Sequence, residues 1–276
     1  MDARFQRRIQ RYGWDKAADF YEAGWRDSLA LSQSRLLAVA AARPGEHVLD
    51  TACGTGLVTF PLADAVTVAG RVVATDISQG MIDIIQREAN RRSARQIEAF
   101  RADAEALVSI PDNSFDLVTS ALGFMYYPEP DKALKEAFRV LRPGGRLVAA
   151  VWGARKNCGW AEIFPIVDAR VQSAVCPMFF QLGTGKMLAW EMEKAGFVTV
   201  ADERLETELP YPDETSAADA AFIGGPVALA YSRFDEPTRA EARAEYLSSI
   251  SKFRRADGYR IPGEFVVASG RKPVLY

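Results

Sequence analysis

Histidine is almost absent from this 276-residue chain; His47 is its only example. It stands at the entrance of an apolar segment, where it reads as a surface residue, so a mechanism built on an imidazole base finds no candidate. Cysteine is scarce as well. Cys53, Cys158 and Cys176 form an odd, scattered set without a C-x-x-C pair, which argues against a disulfide framework. No apolar run approaches the roughly 18 residues needed to cross a bilayer. The opening MDARFQRRIQRYG lacks the apolar stretch of a secretory leader, so the cytoplasm is the expected compartment and no membrane span is expected. A surplus of either charge is missing too: 34 Lys and Arg stand against 36 Asp and Glu. Nucleic-acid binders usually carry a basic excess, so nucleic acid is not an expected partner. The short QRRIQR is read as a solvated helix end. There is no internal repeat and no low-complexity tract.

What is present is an ordinary globular composition, 49% hydrophobic and 25% charged. Between residues 45 and 151 strands and helices alternate. HVLDTA, RVVATD, IEAFRAD, SFDLVTSAL and RLVAAVW read as strands. Residues 57–68, 78–92 and 131–141 read as helices, the second capped by Ser78 with Met81, Ile84 and Ile85 on one face. The third is expected to be capped by Asp131, with Leu134, Phe138 and Leu141 along one side and RPGG ending it. Such alternation implies a doubly wound α/β fold, a parallel sheet with helices on both faces. Beyond 151 the rhythm loosens. KMLAWEMEKAGF reads as a helix stopped at Gly196, and VTVADERL and GEFVVASGRK as two more strands. About sixty residues lie between those strands, with helices expected near 215–223 and 236–252, too long a span for a plain loop. The organisation expected is an N-terminal helical lid over 1–44, a ligand-binding core over 45–151, and a completion of the sheet over 152–276, all in one structural domain.

In such sheets ligands bind outside the carboxyl ends of the strands. Three of those ends carry carboxylates: Asp50 with the glycine turn ACGTG behind it, Asp76 and Asp103. The fourth ends in Ser120 and Ala121. The loop does not complete the dinucleotide fingerprint G-x-G-x-x-G, because the third glycine's place falls on Thr59 counted from Gly54, and on Leu57 counted from Ala52. Asp50 beside the loop would also oppose a pyrophosphate, and no G-K-[ST] follows for a P-loop. Carboxylates in this number suit a ligand rich in hydroxyls and amines, or one bearing positive charge.

VLDTACGTG, VVATDIS, FRADAEAL and FDLVTSALGFMYYPEPDKALKEAFRVLRPGGRLV together resemble the class I S-adenosylmethionine-dependent methyltransferases, in the branch of the ubiquinone/menaquinone C-methyltransferases. The likeness is strong over about 45–151. One departure is Ala52, where many members have glycine; the turn is expected to survive a methyl group. The resemblance implies a Rossmann-like sheet of seven strands, the last antiparallel, with N-terminal lid helices and a helical insertion between the last two strands. It implies S-adenosylmethionine as cofactor and S-adenosylhomocysteine as product. Gly54 and Gly56 would let the backbone approach the methionine moiety. Asp50 would order the loop and reach the ammonium through water. Asp76 would take the ribose hydroxyls, and Ile77 and Met81 would sandwich the adenine. Asp103 and the Ala104 amide would hold the adenine edge, backbone groups of Ser120 and Ala121 the methionine end, and Tyr21 the carboxylate. Asp116 is read as structural.

The acceptor is less legible. Trp14, Tyr21 and Trp25 share a helical face with Ala18. Phe124, Tyr126 and Tyr127 follow the fourth strand, Trp152 ends the fifth, and Trp160, Phe164, Phe179 and Phe180 come after it. Trp14, Trp25, Tyr126, Tyr127 and Trp152 are assigned to a substrate pocket, the phenylalanines to the core. The NPPY-type tetrapeptide of N-methylating relatives is missing, no metal-ligand cluster is seen, and Cys158 and Cys176 are read as core thiols rather than arsenic ligands. The expectation is O- or C-methylation of a small, largely apolar metabolite, with no residue singled out as the catalytic base. A cyclase-like enzyme that does not methylate, a cofactor-holding module and a macromolecule methyltransferase are the alternatives. Lid insertions of similar enzymes sometimes pair, so a homodimer is among the expected partners.

Overall fold

The computed structural model describes residues 2–171 and 178–274; Cys176 lies outside them. The chain begins with a single 38-residue helix, α1 (Ala3–Ala40), where the sequence suggests several. Then follow β1 (His47–Thr51), α2 (Thr59–Val66), β2 (Arg71–Asp76), α3 (Gln79–Arg92), β3 (Ile97–Arg101), β4 (Phe115–Ala121), α4 (Pro130–Val140) and β5 (Leu141–Trp152). After α5 (Ile163–Asp168) and α6 (Met187–Lys194), β6 (Val198–Tyr211) enters the sheet. The insertion carries α7 (Glu214–Phe222), α8 (Ala228–Tyr231), α9 (Glu236–Ile250) and a two-residue β7 (Arg254–Arg255). It leads into β8 (Gly258–Arg271).

The sheet order is β3-β2-β1-β4-β5-β8-β6, with β7 paired to β8 off this path. The first five strands are parallel and β8 runs antiparallel to both its neighbours. The seven-strand path with an antiparallel last strand is the one expected; β7 is the addition. In β1 and β2 nearly every residue is buried, as helices on both faces require. The order reverses between β1 and β4, so the switch-point crevice opens above those two strands.

Local signals mostly hold. Ser78 caps α3 by accepting from the Met81 amide at 3.2 Å. The buried face of α3 is Met81, Ile82 and Ile85; Ile84, expected beside them, is only half-buried. Asp131 is not the cap of α4. Glu129 takes that place without a side-chain hydrogen bond, and Pro130 opens the helix, where its fixed φ and missing N–H cost nothing. RPGG does not separate α4 from the next strand: β5 begins at Leu141 and runs through it with a register shift against β4. His47 is half-buried at the start of β1, and its backbone N–H donates to Asp116 Oδ2 at 2.8 Å. Asp116 also takes Arg142 at 2.7 Å and is structural, as expected.

Helix α1 lies over the crevice as a roof. Asp15 Oδ1 accepts from Ser78 Oγ at 2.7 Å and from the Gly80 amide at 3.1 Å, tying α1 to the start of α3. Further along, the Trp25 indole N–H donates to the Ala220 carbonyl of α7 at 3.1 Å, so the insertion packs against the roof. Among the described residues, no helix is long and apolar enough to cross a membrane.

Candidate active site

The loop after β1 turns through three residues with positive φ: Ala52 at 51°, Gly54 at 55° and Gly56 at 95°. Ala52 thus holds the left-handed conformation despite its Cβ, at a cost of about 1 kcal/mol. What holds the loop is Asp50. Its partner across the sheet is Thr119, whose Oγ1 donates to Oδ1 at 2.8 Å, while Thr59 Oγ1 at the start of α2 donates to Oδ2 at 2.7 Å. Burial pushes the Asp50 carboxyl up to about 6, against the pull of the two hydroxyls. Asp50 reaches only a smaller recess, which it shares with Tyr21, Ala52, Gly54 and Ala121.

Those four residues also wall the main cavity, which holds about 920 Å³ of empty space including its mouth. Its first half sits at the ends of β2 and β3. Asp76 Oδ2 accepts from the Gly54 amide at 3.0 Å and Oδ1 from the Ser78 amide at 2.9 Å, so the second strand's carboxylate pins the glycine loop. Desolvation lifts the Asp76 carboxyl to about 6. Ile77, Met81, Asp103 and Ala104 complete this half. The second half is aromatic: Trp14, Trp25, Tyr126, Tyr127, Trp152 and Trp160 line it, with Leu29 and Met125. Trp14 packs edge-on to Tyr21 and to Tyr126, which joins the halves under the roof. Trp152 stacks on Phe265 at 4.2 Å between centroids.

The structure therefore brings Tyr21, Ala52, Gly54, Asp76, Ile77, Met81, Asp103, Ala104, Ala121, Trp14, Trp25, Tyr126, Tyr127 and Trp152 to one cavity. Gly56 and Ser120 stand outside its lining. Ser120 is fully buried beneath the floor, and a Cβ on Gly123 would meet its Oγ at 2.7 Å, Ala52 Cβ at 2.6 Å and Tyr127 Oη at 2.8 Å. Burial raises the Tyr127 and Tyr21 phenols above their ordinary range, so both stay protonated at neutral pH.

Sequence reasoning misses Arg7, Gln10, Glu105 and Pro226. Arg7, in the first turns of α1, pairs with buried Glu105, with Glu129 at 2.7 Å and with Asp103 at 3.2 Å. This second clasp holds the roof over the Asp103 end of the cavity. An Arg in a basic helix start carries no mark of such a role, because its three partners lie about 100 residues away. Cys158 is a buried thiol that burial pushes up to about 12, which fits a core residue. No group of three potential metal ligands occurs among the described residues.

Residues 49–149 match the family model described as a methyltransferase domain. Over 119 residues the chain is 39% identical to the ubiquinone/menaquinone biosynthesis C-methyltransferase UbiE of Pseudoalteromonas translucida, covering 43% of this chain and 47% of that protein. Residues 49–149 are a methyltransferase domain, similar to the UbiE-like branch of the class I enzymes. S-Adenosylmethionine is the cofactor of such a domain, and the site fits it: a desolvated carboxylate at the end of β2, an apolar pair beside it and a carboxylate beyond. The chain spans about half the length of the curated relatives it matches. At the level of fold the methyltransferase domain and its surroundings superpose on two solved structures. One is the [4+2]-cyclase SpnF, with TM-score 0.59 and 20% identity, covering 92% of this chain and 84% of that one. The other is phosphoethanolamine N-methyltransferase 2 of Haemonchus contortus, with TM-score 0.58 and 17% identity, covering 91% and 53%.

Proposed function

We propose that this protein transfers the methyl group of S-adenosylmethionine to carbon or oxygen of a small, ring-bearing, largely apolar acceptor. The observation that carries the reading is the single cavity whose polar half, at Asp76 and Asp103, opens directly into an aromatic half. The relative's name, a quinone-pathway C-methyltransferase, favours a reduced quinone-type ring as acceptor. The roof of α1, and α7 packed against it, would keep water from the transfer, as displacement at a sulfonium methyl requires. In the proposed assignment Asp76 takes the ribose hydroxyls, Ile77 and Met81 flank the adenine, and Asp103 with the Ala104 amide reads its edge. When bound, the cofactor supplies an electrophilic methyl group to a nucleophile held in line with it.

The aromatic half holds no Asp, Glu, His or Lys among the described residues. Its faces favour a cationic methyl donor nearby, but they offer no base, since the Tyr127 phenol is held protonated. The acceptor must then be nucleophilic of itself, as an electron-rich hydroxylated ring is, and its proton leaves to water after transfer. The test is incubation with S-adenosylmethionine and 1,4-naphthalenediol under anaerobic conditions. S-Adenosylhomocysteine and a singly methylated diol in equal amounts are expected. Cofactor binding without S-adenosylhomocysteine release, over a panel of phenols and diols, would overturn the reading in favour of chemistry without methylation on the same fold.

A further inference from the structure

We propose that Trp160 determines acceptor specificity, its indole N–H donating a hydrogen bond to an oxygen on the acceptor's ring. The inference rests on the reading of the aromatic half as the acceptor site. Trp160 is only 3% exposed and lies on the cavity wall, yet among the described residues its Nε1 has no hydrogen-bond partner. A buried indole N–H is ordinarily paired, because an unpaired donor forfeits its water without compensation. The contrast is within the same wall: Trp25, equally buried, gives its N–H to the Ala220 carbonyl.

The surroundings of Trp160 explain why the protein does not pair it. Its ring is boxed in by Trp152 at 4.8 Å, Phe179 at 5.6 Å, Phe180 at 5.8 Å, and Trp25 and Phe164 at 5.9 Å between centroids. Aromatic rings present no conventional acceptor. Trp160 also lines the cavity, so the partner proposed for it is an acceptor bound there.

The donor is also rigidly placed. The Gly159 amide donates to the Pro262 carbonyl of β8 at 2.8 Å, and a Cβ on Gly159 would strike the Phe253 ring. Just upstream, the Glu264 carboxylate takes the Ala154 amide at 2.9 Å, Asn157 Nδ2 at 3.0 Å and Arg204 at 2.6 Å. A fixed donor is what selectivity for one oxygen position needs. Because an indole N–H donates and never accepts, it selects an acceptor atom such as a carbonyl, ether or hydroxyl oxygen and gains nothing from a protonated amine. The residue lies outside the matched span of 49–149.

The test uses two probes of one shape, 1-tetralone with a ring carbonyl and tetralin without it. Each is titrated into the full-length protein loaded with S-adenosylhomocysteine, wild type and Trp160→Phe. Wild type is expected to prefer tetralone over tetralin by about tenfold more than the variant does, while S-adenosylhomocysteine affinity is equal in the two proteins. In the ¹⁵N-labelled wild type, one indole N–H resonance should move with tetralone and stay with tetralin, which keeps the test sound should the variant fold poorly. The same preference in both proteins, or no indole resonance that separates the two probes, overturns the role of Trp160 alone. Failure of both probes to bind the loaded wild type overturns the acceptor site itself, and the proposal with it.

Discussion

Lowering the pH from 8 to 5 should weaken binding of S-adenosylhomocysteine about tenfold, and the carboxylate of Asp76 is the reason. Its oxygens already accept from the Gly54 and Ser78 amides, and the ligand's ribose hydroxyls would donate to the same charged group. Burial raises this carboxyl to about 6 in the ligand-free protein. At pH 8 it is ionised in nearly every molecule; at pH 5 it is ionised in roughly one of eleven. A ligand that requires the anion then loses about 1.4 kcal/mol, a factor of ten. Binding must also release protons, about half a proton per ligand near pH 6. Calorimetry across pH 5–8, in two buffers of different ionisation enthalpy, measures both quantities. Asp76→Asn is the control. It should bind more than tenfold more weakly at pH 8, since charge-assisted hydrogen bonds are lost, and its affinity should not follow pH over this range. A flat wild-type curve, or an equal slope in the variant, would refute the assignment of Asp76 to the ribose.

Asp50 titrates near the same pH but should govern stability. Its folded value of about 6 lies above the ordinary 3.8, so its contribution is fully present below about pH 4 and lost as pH rises through 6, at most about 3 kcal/mol by neutral pH. Asp50→Asn, which keeps an acceptor for one threonine and a donor for the other, should flatten the decline in ligand-free melting temperature between pH 5 and 8; an unchanged slope would speak against it. Arg7→Ala strips Glu105 of its cation and should cost about 1–3 kcal/mol, seen as a melting point lower by several degrees and a faster release of S-adenosylhomocysteine. Equal release rates would mean that the roof does not gate the cofactor. Gly123→Ala forces a methyl group into Ala52, Ser120 and Tyr127. It should cost about 1–3 kcal/mol by overpacking and reduce cofactor affinity with it, whereas a variant as stable as wild type would show that the floor yields.

The core of this fold is legible because its signals are local and periodic. Buried strands, a Ser78 cap and strand-end carboxylates all sit within short windows, and their separations carry the resemblance. The roof is legible only as a helix. The buried side of α1 is Gln6, Gln10, Gly13, Ala17, Ala18, Ser28 and Ser32 as much as Trp25, Leu29 and Leu36. A helix that packs through small and polar residues shows little apolar periodicity, so its clasps through Arg7 and Asp15 are invisible until the tertiary contacts form. Ser120 and Ala121 differ in a way their place at a strand end does not show: residues alternate across a strand, so Ala121 lines the cavity while the Ser120 side chain is fully buried. Trp160 is a different case: the sequence shows a tryptophan in an aromatic stretch and cannot show that its N–H is left without a partner.

The cavity crosses the edge of the span shared with relatives. The polar half is made by strand ends of the matched span, together with Tyr21. The aromatic half takes Met125, Tyr126 and Tyr127 from the same span, but draws as well on α1, on Trp152 and Trp160 beyond it, and on Pro226 of the insertion. The two halves nevertheless share one roof. Trp14 touches Tyr21 on the cofactor side and Tyr126 on the acceptor side, so α1 cannot settle over one ligand without shaping the wall that meets the other. Trp14→Ala should therefore weaken S-adenosylhomocysteine and tetralone binding together and reduce the effect of each on the other's affinity, a coupling that linkage makes reciprocal. If either ligand bound the variant as wild type does, the roof would serve one half alone.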